Sequence, residues 1–506
     1  MNILMLFAPV FSKFGCDISH SINEMLNDDL KVHGLCTGGP KVVKQVRDEL
    51  GIISGKFWDL NTELEWQWIN EDINDEEIID LGSEITETGA FGRILTADRQ
   101  IGVGLVSGGK VSSSPMVKYA TSKPNVYPRN YICNLIKFMK SILDETNPDA
   151  VFCYAVAGAP AVCLAELCSI RSIPFLRLTS TRIGEGNIVD TDARGRLKPI
   201  EKVFNEAKNN NIDLSLWIEQ AKDELYSFQE KPMMPGYMIY NAKNRKNEHL
   251  LPEVIKSIKN SSLYFASVVL QKNVKNIRKY QLVEAWKKSE RIWCRKKLEF
   301  ISPFSEKFPM ERSFIYYPLH LNPEASTMVL SPMHTNQISI IEALSKSAPP
   351  YLDIVVKEHS PMLGLRPKGF YDKIKQLPRV TLLGPEHNGL ELIRQSALTV
   401  VITGTAAWEA VRLKKPAIVI GDSPYLAINE GIVHSPCLTD LPKKIVEALN
   451  MLPASNESLL LYLAAINKES FEMKTSLLWG NYMTHSSEER IKVSKTIAQH
   501  ILNRIN

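Results

Sequence analysis

The chain lacks the marks of several protein classes. Its 506 residues include 8 cysteines, none in a CxxC pair and most with apolar neighbours. That spread argues against a disulfide framework or a cysteine-ligated zinc site and fits reduced thiols in a cytoplasmic protein. No apolar run approaches the roughly 18 residues that cross a bilayer. The opening residues, Met1 to Phe11, have neither a basic leader nor a small-residue cleavage site, and they read as a first strand. An excess of one charge is missing too: a net charge of +4 is too mild to point to nucleic acid. Hydrophobic content of 44% and charged content of 23% exclude disordered, collagen-like and coiled-coil classes.

What remains is a soluble α/β chain long enough for two or three domains. Ile3 to Phe7, a helix from Asp17 and the strand Val32 to Thr37 are the usual opening of a doubly wound domain. Ser12 and Lys13 lie in the loop after the first strand, where such sheets bind ligands; a solvated loop fits them equally. Residues 61 to 114 read as irregular loops with short strands or helices, and Gly102, Gly104, Gly108 and Gly109 lack dinucleotide-fingerprint spacing. A helix at Asn130 to Glu145 and a strand–helix–strand unit at Ala150 to Leu178 follow. Past that strand, Thr179 to Arg196 carries Arg182, Glu185, Asp190 and Asp192, the best acceptor-side candidates. Asp190-Thr191-Asp192 also has the look of a metal-holding carboxylate pair, but such triplets arise often by chance, and no metal is expected.

Between Lys243 and Lys297 there are fifteen Lys or Arg against four Glu, interleaved with Tyr264, Phe265, Trp286 and Trp293. A cationic, aromatic helical block suits an anionic membrane surface or acidic glycan; a solvated insertion suits it as well. A second α/β domain begins near Phe314. His320 follows its first strand, and Lys357-Glu358-His359 follow its second, with alternation putting Lys357 and His359 on one side to neutralise phosphate. Leu398 to Tyr425 then reads as strand, turn, helix and strand. At Thr403-Gly404-Thr405 the glycine is expected to permit a sharp turn, freeing helix amides for a phosphate. Glu409, one turn on, is placed to accept from ribose hydroxyls, although an ordinary capped helix fits the same residues. Strands of one parallel sheet would bring His320, Lys357, His359 and Thr403 to Thr405 to a common edge.

The ordered set Phe314 to His320, Pro323-Glu324, Gln337, Val356 to His359, Gly364, Tyr371, Thr403 to Thr405, Trp408 to Ala410, Lys415-Pro416 and Gly421 resembles the bacterial capsule polysaccharide biosynthesis family, which includes the Kdo transferases. The resemblance covers roughly 314 to 425. It implies a GT-B-like fold, two Rossmann-like domains facing a central cleft, with the nucleotide sugar held by the C-terminal one. It further implies that Lys357 and His359 meet the donor phosphate, that Thr403 to Thr405 assist, and that Glu409 holds the ribose. Two departures stand out. Ser360 separates His359 from Pro361, where the family commonly has proline directly after the histidine. No Glu-Asp-Gly-type motif ends the N-terminal strand near Leu178 to Gly184, which leaves a Kdo donor and a retaining mechanism open.

The expected organisation is an N-terminal Rossmann-like acceptor domain at 1–200, a helical basic insertion at 201–312, a C-terminal nucleotide-sugar domain at 313–475, and helices at 476–506 crossing back to the first domain. The expected activity is transfer from a nucleotide-activated donor, CMP-linked on the resemblance, to a surface polysaccharide or glycolipid. Donor-binding residues are His320, Lys357, Glu358, His359, Thr403, Gly404, Thr405 and Glu409; the catalytic carboxylate is Asp190 or Glu185. No cofactor or metal beyond the donor is expected, and no nucleic acid. The protein is placed in the cytoplasm, against the inner membrane face through 243–297. The alternatives are a nucleotide-sugar 2-epimerase-like enzyme and a non-catalytic glycan-binding assembly component.

Overall fold

A computed structural model describes residues 1–86, 89–98, 127–231, 291–305 and 312–505, with scattered positions between 251 and 262. Strands β1 (Asn2–Phe7), β2 (Lys31–Thr37), β3 (Ser54–Leu60), β4 (Ala150–Cys153), β5 (Phe175–Ser180) and β6 (Gly186–Asp190) lie in the first half. Strands β7 (Phe314–Pro318), β8 (Asp353–Lys357), β9 (Val380–Leu383), β10 (Leu398–Val401), β11 (Ala417–Val419) and β12 (Ile432–His434) lie in the second, followed by the short β13 (Phe471–Glu472). Among the described residues they form two sheets, β13-β6-β5-β4-β1-β2-β3 and β12-β11-β10-β7-β8-β9. The second sheet is parallel throughout. In the first, β6 runs antiparallel to β5, and β13 antiparallel to β6.

Both sheets are covered on both faces, so their strands are continuous apolar runs with alternate residues entering different cores. On β1, Ile3, Met5 and Phe7 join one cluster while Leu4 and Leu6 join another. On β7, Phe314 and Tyr316 face one core and Ile315 and Tyr317 the other. In each sheet the connections wind first to one side of the opening strand and then to the other. The order therefore reverses between β1 and β4, and between β7 and β10. Such reversals open a crevice at the carboxyl edge of a sheet, where α/β domains bind ligands.

Several expectations change. The first helix spans Ser12–Met25, beginning five residues earlier than expected, so Lys13 sits on it and pairs with Asp17 and Glu49 at 3.1 Å each. Residues 61 to 98 hold three helices, Thr62–Asn70, Asp75–Thr86 and Ala90–Ala97, more regular than the loops with short strands or helices expected; the four glycines at 102 to 109 lie outside the described residues. Most of the basic block 243–297 is also outside them. The helices Lys198–Lys208 and Ser215–Glu230, assigned above to that insertion, instead pack Phe204, Leu225 and Phe228 into a core shared with β7, β10 and the helix Ala406–Arg412.

The crossing back to the first domain begins near residue 470, because Phe471 and Glu472 pair with Asn187 and Gly186 of β6. The final helix, Ser487–Ile505, then lies on Ser12–Met25. Tyr482 Oη donates to Asp17 Oδ2 at 2.8 Å, and its ring stacks on Phe14 at 4.7 Å. No helix among the described residues is long and apolar enough to cross a membrane. Ile497 and Ile501 are fully buried in the shared core. Ile497→Ala should therefore destabilise the protein by about 2–5 kcal/mol, read from urea denaturation, and a loss below about 0.5 kcal/mol would show that the returning helix is not part of the first domain's core.

Candidate functional site

The reversal of the second sheet brings the ends of β7 and β10 side by side, and the site is built there. Chain leaving β7 reaches His320, and chain leaving β10 reaches Thr403-Gly404-Thr405. The two meet closely: a Cβ placed on Gly404 would lie 3.0 Å from His320 Nε2. Gly404 does not have a positive φ, so its role is close approach to the imidazole rather than the sharp turn expected from the sequence. His320 is 7% exposed, and neither ring nitrogen makes a hydrogen bond of normal geometry. Burial first, then the charges of His359 and Arg366, push its pKa down to about 3 against a small opposing pull from the Pro318 carbonyl. The imidazole is neutral at ordinary pH, with one N–H to donate and one lone pair to accept.

The backbone around it is held by Gln337, the first residue of the helix Gln337–Ser347, and by Arg366 in the loop after β8. Gln337 Oε1 accepts from His320 N at 2.7 Å, and Gln337 Nε2 donates to His320 O at 3.0 Å. Arg366 Nη2 donates to the same carbonyl at 3.0 Å. Arg366 also makes a forked pair with Glu358, Nε to Oε2 at 3.0 Å and Nη2 to Oε1 at 2.7 Å. Glu358 Oε1 in turn accepts from His359 N at 2.6 Å. Glu358 is wholly buried. Expected to touch a ligand, it is instead committed to Arg366 and to the turn, a positioning role.

Alternation along the end of β8 buries Glu358 and leaves Lys357 and His359 partly exposed on either side of it. Lys357 Nζ donates a long 3.5 Å hydrogen bond to the Glu358 carbonyl. Burial lowers its pKa, with Glu358 and Glu386 pulling the other way. Thr403 Oγ1 donates to Ser326 O at 2.8 Å, so that hydroxyl ties the turn to the loop after β7. Thr405 Oγ1 donates to Glu409 Oε1 at 3.1 Å. Glu409 is 9% exposed, its pKa raised by burial and opposed by Arg412. Arg412 lies over the Phe228 ring at 3.4 Å, and Trp408 stacks on Tyr425.

The two acceptor-side carboxylates part company. β6, read from sequence as loop, pairs Asp190 with Arg177 across the strands. Arg177 Nη2 donates to Asp190 Oδ2 at 2.8 Å and Lys198 N to Oδ1 at 3.0 Å. Asp190 is fully buried, its pKa raised by desolvation against the pull of Arg177. Glu185 is exposed in the turn between β5 and β6, at the carboxyl edge of the first sheet, and its carbonyl accepts from Met473 N at 3.1 Å. Asp192 caps the loop that follows through Arg194 N and Arg196 N, both at 3.0 Å. That loop meets the other domain: a Cβ on Gly195 would lie 3.0 Å from Leu330, and Asp422 feels the charges of Arg196, Asp192 and Arg194. Among the described residues no three His, Cys, Asp or Glu side chains gather as a metal site.

Sequence reasoning missed Arg366, Asp422 and Arg196. For Arg366 the one available signal was a buried-type arginine between Gly364 and Pro367, eight residues after an acid. Asp422 and Arg196 become neighbours through the domain contact, which no local pattern reports.

Two doubly wound sheets, with His320, Lys357 and His359 beside the switch point of the second, agree with the GT-B-like expectation of two Rossmann-like domains. Residues 216–433 match the family model described as capsule polysaccharide biosynthesis protein, and the resemblance read from the sequence is borne out over that stretch. No curated protein matches the chain. Solved structures similar to it include a KpsC beta Kdo 2,7 transferase of Thermosulfurimonas dismutans, at 12% identity and TM-score 0.35 over 69% of this chain and 90% of that one. A beta Kdo 2,4 transferase of the same protein gives 13% and 0.35 over 63% and 79%. The UDP-GlcNAc 2-epimerase of Neisseria meningitidis gives 12% and 0.22 over 99% and 100%. Likenesses of this size carry no functional weight.

Two outcomes follow from the geometry. Glu358→Gln leaves Arg366 buried without its counter-charge, and should cost about 3–5 kcal/mol in urea denaturation. His320 contributes to acid lability. Its pKa falls from an ordinary 6.5 to about 3 on folding, so between those values the unfolded state binds the extra proton and stability drops as pH falls. The slope approaches about 1.4 kcal/mol per pH unit. His320→Gln should flatten the stability profile between pH 6 and pH 4, measured relative to wild type; identical slopes would refute the buried neutral imidazole.

Proposed function

We propose that the protein is a glycosyltransferase of surface polysaccharide assembly, moving a sugar from a nucleotide-activated donor to a capsular glycan or glycolipid. The observation that carries this reading is the buried, neutral His320 packed against Gly404 at the switch point of a sheet that lies within the capsule-biosynthesis match. In the reaction, an acceptor hydroxyl oxygen attacks the anomeric carbon. The bond from that carbon to the phosphate oxygen breaks, and the nucleotide leaves with the bonding pair. Lys357 supplies positive charge to the departing phosphate, and His320 supplies a hydrogen bond from its Nε2 edge. Both act in a partly desolvated crevice where such groups are strongest. The amides at Thr405 and Ala406 add donors, and His359 lies on the same rim. Thr405 and Glu409 form the pair offered to ribose hydroxyls.

The proton of the acceptor hydroxyl goes to a carboxylate of the first domain. Glu185 is the better candidate, because it is exposed at the carboxyl edge, whereas both Asp190 oxygens are engaged. This scheme uses no cofactor besides the donor and no metal. The cytoplasm, where nucleotide sugars are available, is the proposed location, with contact to an anionic membrane through 243–297.

A thermal-shift screen with CMP, UDP, GDP and their sugars should raise the unfolding temperature for one base, since a ligand specific for the folded state stabilises it. Lys357→Ala should weaken that nucleotide about 10- to 100-fold, the worth of one charge-assisted hydrogen bond. Glu185→Gln should slow transfer about 10²- to 10⁴-fold with nucleotide affinity unchanged. Failure of every nucleotide to stabilise the protein contradicts the donor site; full transfer by Glu185→Gln contradicts the base.

A further inference from the structure

The switch point of the first sheet, between β1 and β4, is built differently from that of the second. It holds aromatic rings in place of cations. Phe11 follows β1 and Tyr154 follows β4, and the two rings stack at 4.7 Å with an interplanar angle of 17°. Trp479, carried in by the helix Thr475–Trp479 after the chain returns to this domain, lies 6.1 Å from Tyr154 at 58°. Trp479 is 56% exposed, and Val10 in the loop leading to Phe11 is 47% exposed. A tryptophan left this open, tilted against one ring of a stacked pair at the carboxyl edge of a doubly wound sheet, lies where such a sheet meets its ligand.

The surroundings say what kind of ligand. Ser476 stands one helical turn before Trp479 and so shares its face. Ser476 Oγ and His485 Nε2 lie 3.1 Å apart, and His485 Nδ1 lies 3.0 Å from Glu489 Oε2. Lys474 Nζ pairs with Glu489 at 2.8 Å, and the Glu185 turn is joined to Met473 by a backbone hydrogen bond. An exposed aromatic ring with a hydroxyl one helical turn away, itself backed by an imidazole and a carboxylate, matches a pyranose, which has an apolar C–H face and a rim of hydroxyls. The chain just after Trp479 is anchored, because Tyr482 stacks on Phe14 and bonds Asp17. A rigid aromatic ring binds at little cost in side-chain entropy.

We propose that Trp479, backed by Tyr154, is a stacking subsite for a pyranose ring of the glycan acceptor, with Ser476 as a polar partner at the ring's edge. That the occupant is the acceptor rests on the glycosyltransferase reading; that it is a sugar rests on the subsite itself.

The test is a printed array of neutral and acidic pyranose oligosaccharides probed with the full chain, followed by titration of the strongest binder into wild type, Trp479→Ala and Trp479→Phe. Wild type should retain at least one glycan. Trp479→Ala should weaken it about tenfold and Trp479→Phe much less, the effect of one aromatic stack. The unfolding temperatures of both variants should match wild type, since Trp479 is largely outside the core. Retention of no glycan by wild type, or equal affinity in Trp479→Ala, overturns the proposal. The array readout needs no nucleotide, so failure of the donor screen would sink the transferase reading and leave this result interpretable.

Discussion

The buried ion pair between Glu358 and Arg366 is the contact on which the second domain's crevice depends. It joins the end of β8 to the end of β7, because Arg366 holds the Glu358 carboxylate and the His320 carbonyl together, while Glu358 also accepts from His359 N. A charge pair this deeply buried gains little net stability over an apolar substitute, but losing one partner strands the other. Its consequence is geometric: His320 is fixed against Gly404, with Lys357 and His359 partly exposed at the end of the neighbouring strand. The candidate groups are therefore positioned by two buried residues committed to each other.

The two sheets share a topology and differ in chemistry at the same topological point. The second ends in a neutral imidazole, a partly buried lysine and helix amides, which suit an anion. The first ends in stacked aromatics with a polar edge, which suit a ring with two unlike faces. The C-terminal crossing supplies Trp479 and pairs β13 with β6, and the loop 192–196 reaches Leu330 and Asp422 of the other domain. The two domains are thus linked through chain that belongs to both.

The second domain was more legible in the sequence because runs such as Ile354 to Val356 and Leu398 to Val401 are short, apolar and buried, with polar residues beyond them. His320, His359 and Thr403 to Thr405 come within a few residues of a strand end. The first domain was less so. β3, at the sheet edge, is half-buried, contains Gly55 and Lys56, and shows no continuous apolar signal. β6 was read as loop because Asn187 and Asp190 interrupt it; their partners, Arg177 and the Met473 carbonyl, come from elsewhere in the chain. The same long-range pairing explains why Asp190 looked catalytic in one dimension and is committed to an ion pair in three. Gly404 was noticed for the right position and the wrong reason: local reasoning sees backbone freedom, while closeness to His320 is a tertiary fact.

The central claim is that His320 and the chain after β10 grip the phosphate of a nucleotide. A crystal structure of the protein with its stabilising nucleotide tests this most directly. The account predicts a phosphate oxygen within hydrogen-bond distance of His320 Nε2 and of an amide in 404–406, with Lys357 Nζ turned toward it. Phosphate density bound elsewhere, with His320 still facing an empty crevice, would contradict it.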